Sequence, residues 1–386
     1  MNEKNSNSMA RVERYYQDYG LRARELKEEG KRFIGYLCSF VPVEIINAAG
    51  FFPFRLRGDV HEPITKGNTQ LETIACPFMR SCFDLSLKGM YDFCEGLVIP
   101  HACDSMTRTY SVWRYSLGLP YSHFINIPHG LSEPALEFFK AELNTFRKSL
   151  GRYAGRDITD GDLAEAIEVY NKNRKKARAL YELRKADPPL ISGSETSRVL
   201  TVAMSLPVTE ANALFDDVLA ALRDREISPL QKAPRIMVDG ACIDNIDVFK
   251  LIEDSGANVV ADNLCIGTRD YWLHVNTEGD PMDALSRRYL DKLNCPRTYR
   301  DNLGETYEED LESRFGNMGA LSREFKVDGV ILYVYKYCDP FGFEVPARKT
   351  YFDSLNIPVL HLEDEYSAGT IGRLRTRIQA FLEILG

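Results

Sequence analysis

Residues 328–340, reading DGVILYVYKYCDP, constrain this chain most, because a near-continuous apolar run ends abruptly in a cysteine, an aspartate and a proline. Val330, Ile331, Leu332, Tyr333, Val334 and Tyr335 show no polar alternation, the pattern of a parallel strand covered on both faces. Residues 343–355 then read as a helix, and residues 357–362 (IPVLHL) as the next strand. In open α/β sheets ligands gather beyond the carboxyl ends of the strands, and Cys338 falls at such an end.

Its 386 residues leave room for two or three domains, each with its own core. A net charge of -8 argues against a nucleic-acid partner. The N-terminus is polar, and no later segment approaches the roughly 18 apolar residues of a membrane span, so the expectation is a cytoplasmic protein without a membrane partner. In that reducing compartment the nine cysteines are not a disulfide framework. They are metal ligands, catalytic groups or small core residues.

The chain reads as an N-terminal helix (residues 1–31), a first α/β domain (32–130), a helical bridge (131–230) and a second α/β domain (231–386). The bridge has long charged helical patterns and no strand signals, and its basic run NKNRKKAR reads as a solvated face. The two α/β portions echo each other. GLVIPHACDS, a helix and YSHFINIP match GVILYVYKYCDP, a helix and IPVLHLED. The expected fold is therefore α/β, with two doubly wound, flavodoxin-like parallel-sheet domains facing a cleft and Cys103 and Cys338 at equivalent strand ends.

Six cysteines follow strands or lie in the loops after them: Cys38, Cys76, Cys103, Cys265, Cys295 and Cys338. Cys82 and Cys94 read as core, and Cys242 is open to either reading. No pair has CxxC spacing and no histidine pair offers a zinc site. Dispersed thiols gathered by the fold suit an iron–sulfur cluster, which imposes no short spacing; packing in the core is the alternative. Glu44, at the start of a helix beside the expected cleft, is a candidate acid or base, or else a carboxylate complementing a helix N-terminus. Ser39 beside it is a candidate for binding substrate or an iron site. Arg80 and Arg108 are candidates to neutralise a reduced cluster, or else surface residues.

The phrases GYLCSFVPVEIINAAGFFPFRLRG, CPFMRSCFDLSLKG, VIPHACDSM, VVADNLCIGTRDY and KYCDP with SLNIPVLHLEDEY resemble the family of 2-hydroxyacyl-CoA dehydratase and benzoyl-CoA reductase subunits. The resemblance implies two α/β domains with a helical part, and a 4Fe-4S cluster held in the cleft by three cysteines, here Cys76, Cys103 and Cys338. It also implies low-potential electrons from a separate ATP-hydrolysing iron–sulfur activator. In keeping with that, this chain has no GxxxxGK[ST] phosphate loop and so no ATP site of its own is expected. One branch of the family holds a bridged double cubane on six thiolates, and the additional three match Cys38, Cys265 and Cys295. That branch implies a homodimer reducing a small molecule. The other implies a homologous second subunit, an acyl-CoA substrate and one cluster per subunit.

Overall fold

The computed structural model describes residues 3–223, 225, 233–299 and 304–386. Its framework is a pair of four-stranded, all-parallel sheets. The first contains β1 (Phe33–Tyr36), β2 (Phe52–Arg55), β3 (Cys94–Pro100) and β4 (Tyr121–Ile125), in the order β2-β1-β3-β4. The second contains β5 (Arg235–Gly240), β6 (Asn258–Asn263), β7 (Gly329–Tyr335) and β8 (Val359–Asp364), in the order β6-β5-β7-β8. These are one topology used twice, matching the first four strands of the flavodoxin-like order.

The sequence explains the burial. All seven residues of β7 are buried, and so are all six of β5 and of β6, as a sheet covered on both faces requires. β8 at the edge of its sheet is less covered. Two central strands, β1 and β3, pair in register Tyr36↔Val98, while β5 and β7 pair Gly240↔Tyr333. Chain order reverses between these neighbours, so each sheet has its switch point where β1 and β3, or β5 and β7, end.

Between the sheets run the helices Glu133–Ala154, Asp160–Glu182, Gly193–Ala203 and Val208–Arg223, with no strand among the described residues of that stretch. Two of them start on capping boxes, Thr159 with Asp162 and Ser192 with Glu195, which satisfy first-turn N–H groups reciprocally. This helical part is bonded to both sheets' halves. Arg174 pairs with Glu44 at 2.5 Å, and Arg184 with Asp262 at 3.0 Å.

Several expectations change in detail. The N-terminal region forms two helices, Glu3–Gln17 and Leu21–Glu28, because the chain turns at residues 18–20. The run NKNRKKAR is not uniformly solvated: Asn173 and Arg174 are buried, since helical periodicity turns them toward Asn212 and Glu44. The helix after Cys338 begins earlier than expected, at Asp339. A further helix, Tyr307–Glu324, precedes β7. No helix of the described residues is long and apolar enough to cross a membrane.

Candidate metal-cluster site

The carboxyl ends of the strands deliver thiols at matching offsets. Cys38 lies two residues beyond β1 and Cys242 two beyond β5; Cys103 lies three beyond β3 and Cys338 three beyond β7. Cys265 lies two beyond β6. These, with Cys76 and Cys295, line one cavity of about 90 Å³, several times the roughly 10–15 Å³ a water needs. All six sequence-predicted cysteines are therefore brought together, and Cys242 is a seventh. The remaining lining is apolar or aromatic apart from Arg55, and includes Phe78, Met79, Met106 and Phe341. Cys82 and Cys94 are buried and do not line it.

Local backbone structure prepares several of these thiols. Cys76, Cys103 and Cys338 are each the N-cap of the helix that follows, Pro77–Leu87, Asp104–Leu117 and Asp339–Ser354. A proline in the first turn of two of these helices fixes where each begins. Helix N-termini present unpaired N–H groups and partial positive charge, which favour a thiolate; the Met106 N–H donates to Cys103 Sγ at 3.5 Å. Cys38 stands instead at φ 73°, the left-handed region that costs a non-glycine residue roughly 1–2 kcal/mol. Strain of that kind concentrates at binding and catalytic positions.

Burial dominates the electrostatics. It pushes the Cys103 thiol up to about 12 and Cys295 up to about 11, the latter against the pull of Arg269. Cys38, Cys76, Cys242 and Cys338 are raised by the same cause. Burial thus favours the protonated thiol over the thiolate at these positions, and a bound metal would draw off the protons. Among the described residues no three Cys, His, Asp or Glu side chains converge tightly enough to hold a single metal ion. The thiols surround a space rather than a point.

Arginines crowd the site from behind. Arg269 Nη1 donates to Cys265 Sγ at 3.2 Å and to Gly240 O at 3.1 Å, while Nη2 donates to Asn263 O at 2.9 Å. Arg297 Nε donates to His101 O at 2.7 Å and its Nη2 to Ile127 O at 2.6 Å, tying the loop of Cys295 to the first sheet's half. Ser39 Oγ donates to Cys265 O at 3.1 Å, another tie between the halves. Sequence reasoning missed Arg55 and left Cys242 open. Cys242 had a usable signal, its strand offset being that of Cys38.

The other candidates are not among the residues that line the cavity, although Arg80 acts through space on Cys76. Glu44 is fully buried, accepts from Arg174 at 2.5 Å and from Tyr289 OH at 2.7 Å, and does not line it. Burial pushes its carboxyl up, but Arg174, Arg288 and the two hydrogen bonds outweigh this and hold it below the ordinary value. Ser39 is buried and likewise outside the lining. Arg108 is largely exposed and pairs with Asp104, while Arg80 donates to Ala75 O and Asn68 Oδ1.

Two α/β halves of one topology, closing on a thiol-lined cavity at their strand ends, define the class of this molecule. Residues 38–385 match the model of the family 2-hydroxyglutaryl-CoA dehydratase, D-component, and the chain belongs to that family. It is similar to a benzoyl-CoA reductase subunit of Thauera aromatica, with 28% identity over 97% of each chain. Similarity extends to the (R)-phenyllactyl-CoA dehydratase beta subunit of Clostridium sporogenes (26% identity, 94% of each chain). A putative dehydratase subunit of Escherichia coli (strain K12) is 28% identical over 95% of this chain and 94% of its own. The chain is thus an enzyme of the dehydratase and reductase family.

Proposed function

We propose that this protein is an iron–sulfur component that accepts low-potential electrons from an ATP-hydrolysing activator and reduces a small molecule. Cys76, Cys103 and Cys338 would hold one 4Fe-4S cubane, and Cys38, Cys265 and Cys295 a second, bridged to the first. The observation that carries this reading is the convergence of both trios on one buried cavity. A reading with one cubane leaves the second trio without a task. The donor set also suits the group: sulfur ligands, an apolar wall, helix N-termini behind three of the thiols, and a buried guanidinium in the lining.

When bound, such a cluster supplies single electrons at low potential. The protein's own residues do the rest. The three N-cap positions favour the thiolate form of the first trio, Arg269 orients the Cys265 sulfur, and Phe78, Met79, Met106 and Phe341 limit water at the site. We assign no proton transfer to Glu44 or Ser39, since the first is held charged in an ion pair and neither lines the cavity.

A second reading rests on the names of the relatives, several of them subunits of acyl-CoA enzymes. In it the chain is one subunit of a heteromeric dehydratase or aromatic acyl-CoA reductase, with a homologous partner and one cubane. Iron and acid-labile sulfide analysis of anaerobically purified protein separates the two. About eight irons per chain is expected for the bridged cluster, about four for a single cubane. Iron-free protein after anaerobic isolation would sink both.

A further inference from the structure

Two residues of the cavity wall carry buried hydrogen-bond donors without a partner among the described residues. Arg55, the last residue of β2, is 1% exposed and lines the cavity. Its Nε and Nη1 are unpaired, and Nη2 has Cys242 Sγ at 3.9 Å, the outer limit for a hydrogen bond to sulfur. Tyr335, the last residue of β7, is 3% exposed and lines the same cavity, and its hydroxyl is also unpaired.

Arg55 differs from buried arginines nearby. Arg174 is bonded to the carboxylate of Glu44, Arg348 to that of Asp239, and Arg184, whose Nε and Nη1 are also unpaired, to that of Asp262, whereas Arg55 has no bonded carboxylate. Arg269, although its Nε is unpaired, spends its two amino groups on carbonyls and on Cys265. A guanidinium cannot shed its proton, and a buried charge without a counter-charge is strongly unfavourable. The Tyr36 ring, 5.3 Å from the Arg55 guanidinium carbon, offsets part of this through a cation–π contact. It supplies no acceptor for Nε and Nη1. The Asp270 carboxylate also acts on Arg55 through space, but neither group bonds Nε or Nη1; what those two donors lack is an acceptor on the cavity side.

We propose that Arg55 and Tyr335 are positioning residues that donate hydrogen bonds to the anionic sulfur of the cluster held by the cavity thiols, and thereby raise its reduction potential. This rests on the iron–sulfur reading above. Hydrogen bonds and positive charge at cluster sulfurs favour the more negative, reduced state, and Arg55 carries both. Tyr335 contributes a neutral donor and hence the smaller effect.

The test uses the full chain, purified anaerobically, as parent, Arg55→Met, Arg55→Lys and Tyr335→Phe. In redox titrations followed by electron paramagnetic resonance, Arg55→Met shifts the midpoint to more negative potential. Arg55→Lys restores part of the shift, and Tyr335→Phe moves it less in the same direction. Equal midpoints in parent and Arg55→Met at equal iron content overturn the proposal. A second measurement covers a variant that takes up no iron: thermal unfolding after iron is removed by chelation. There Arg55→Met is at least as stable as the parent, because it removes a buried cation with two unpaired donors, whereas with iron present the parent is the more stable. Arg55→Met destabilised without iron overturns the proposal, since Arg55 would then be an ordinary packing residue. A parent lacking iron overturns the iron–sulfur reading and this inference together; equal midpoints overturn this inference alone.

Discussion

Two buried polar groupings in this protein follow opposite rules. Around Glu44, each charge meets a partner: its carboxylate takes a hydrogen bond from Arg174 and another from Tyr289, and its acidity is enhanced in consequence. Around the cysteines, thiols face an apolar cavity and Arg55 is left with open donors. The difference separates structure from binding. A satisfied network is complete as it stands, and an unsatisfied one is complete only with something bound.

The largest effect that would break this comparison is on metal content. Cys103→Ser or Cys338→Ser is expected to lower iron from about eight per chain to about four or fewer, with the fold retained by circular dichroism. Glu44→Ala is expected to leave iron per chain unchanged. Iron lost as heavily from Glu44→Ala as from Cys103→Ser would merge the two groupings into one site.

Stability should respond the other way round. Removing Glu44 leaves Arg174 buried without its counter-ion, and breaking a buried pair from one side costs about 3–5 kcal/mol. Urea unfolding of iron-free Glu44→Ala should show that loss. A change below about 1 kcal/mol would mean that the network is not a closed structural unit.

Much of this contrast was legible in the sequence, but unevenly. Strands such as β7 announce themselves because both faces are buried, and the repeated strand, Cys-Asp, helix, strand pattern foretold two sheets of one kind. Cys38, Cys103, Cys265 and Cys338 could be grouped because strand ends in such a fold share one rim, whereas Cys76 and Cys295 joined them through the family resemblance. The partners of Glu44 could not be read, since Arg174 sits 130 residues away in a run that looks like a solvated basic face. Arg55 was hidden for a related reason. Nothing local distinguishes a strand-end arginine that pairs with solvent from one folded into a cavity.

Titration offers a sharper cut between carboxylates whose partners outweigh burial and those whose partners do not. Asp244, two residues beyond Cys242, accepts from Gly58 N at 2.8 Å and from Tyr366 OH at 3.0 Å, but burial still raises it from 3.8 to about 6. A carboxyl raised on folding binds its proton more tightly in the native state. Its contribution is fully present below about pH 4 and is lost as the pH rises toward 6, on the order of 3 kcal/mol. Glu44, held below its ordinary value of 4.5, contributes in the opposite sense: its stabilisation is present at neutral pH and lost as the pH falls through its folded value. Urea unfolding of iron-free protein from pH 4 to 7 should therefore show Asp244→Asn losing a downward slope that the parent keeps. A parallel pH profile in parent and variant would mean that the partners of Asp244 offset its burial as those of Glu44 do.

Cys242 gives the smallest expected effect and the finest discrimination. By strand offset it is the counterpart of Cys38, and it lines the same cavity. Yet in the proposed function two bridged cubanes need six thiolates, and the six are accounted for without it. Cys242→Ser should accordingly keep the parent's iron content and change stability by about 1 kcal/mol or less, the scale of a small change at a buried side chain. Cys38→Ser, at the matching position of the first half, should lose iron. If the two variants lose iron alike, Cys242 belongs to the ligand set and the matching offsets of the two halves extend to the metal. If only Cys38→Ser loses it, the halves share a fold and a rim but divide the work: one thiol binds iron, and the Sγ of its counterpart stands 3.9 Å from Arg55 Nη2.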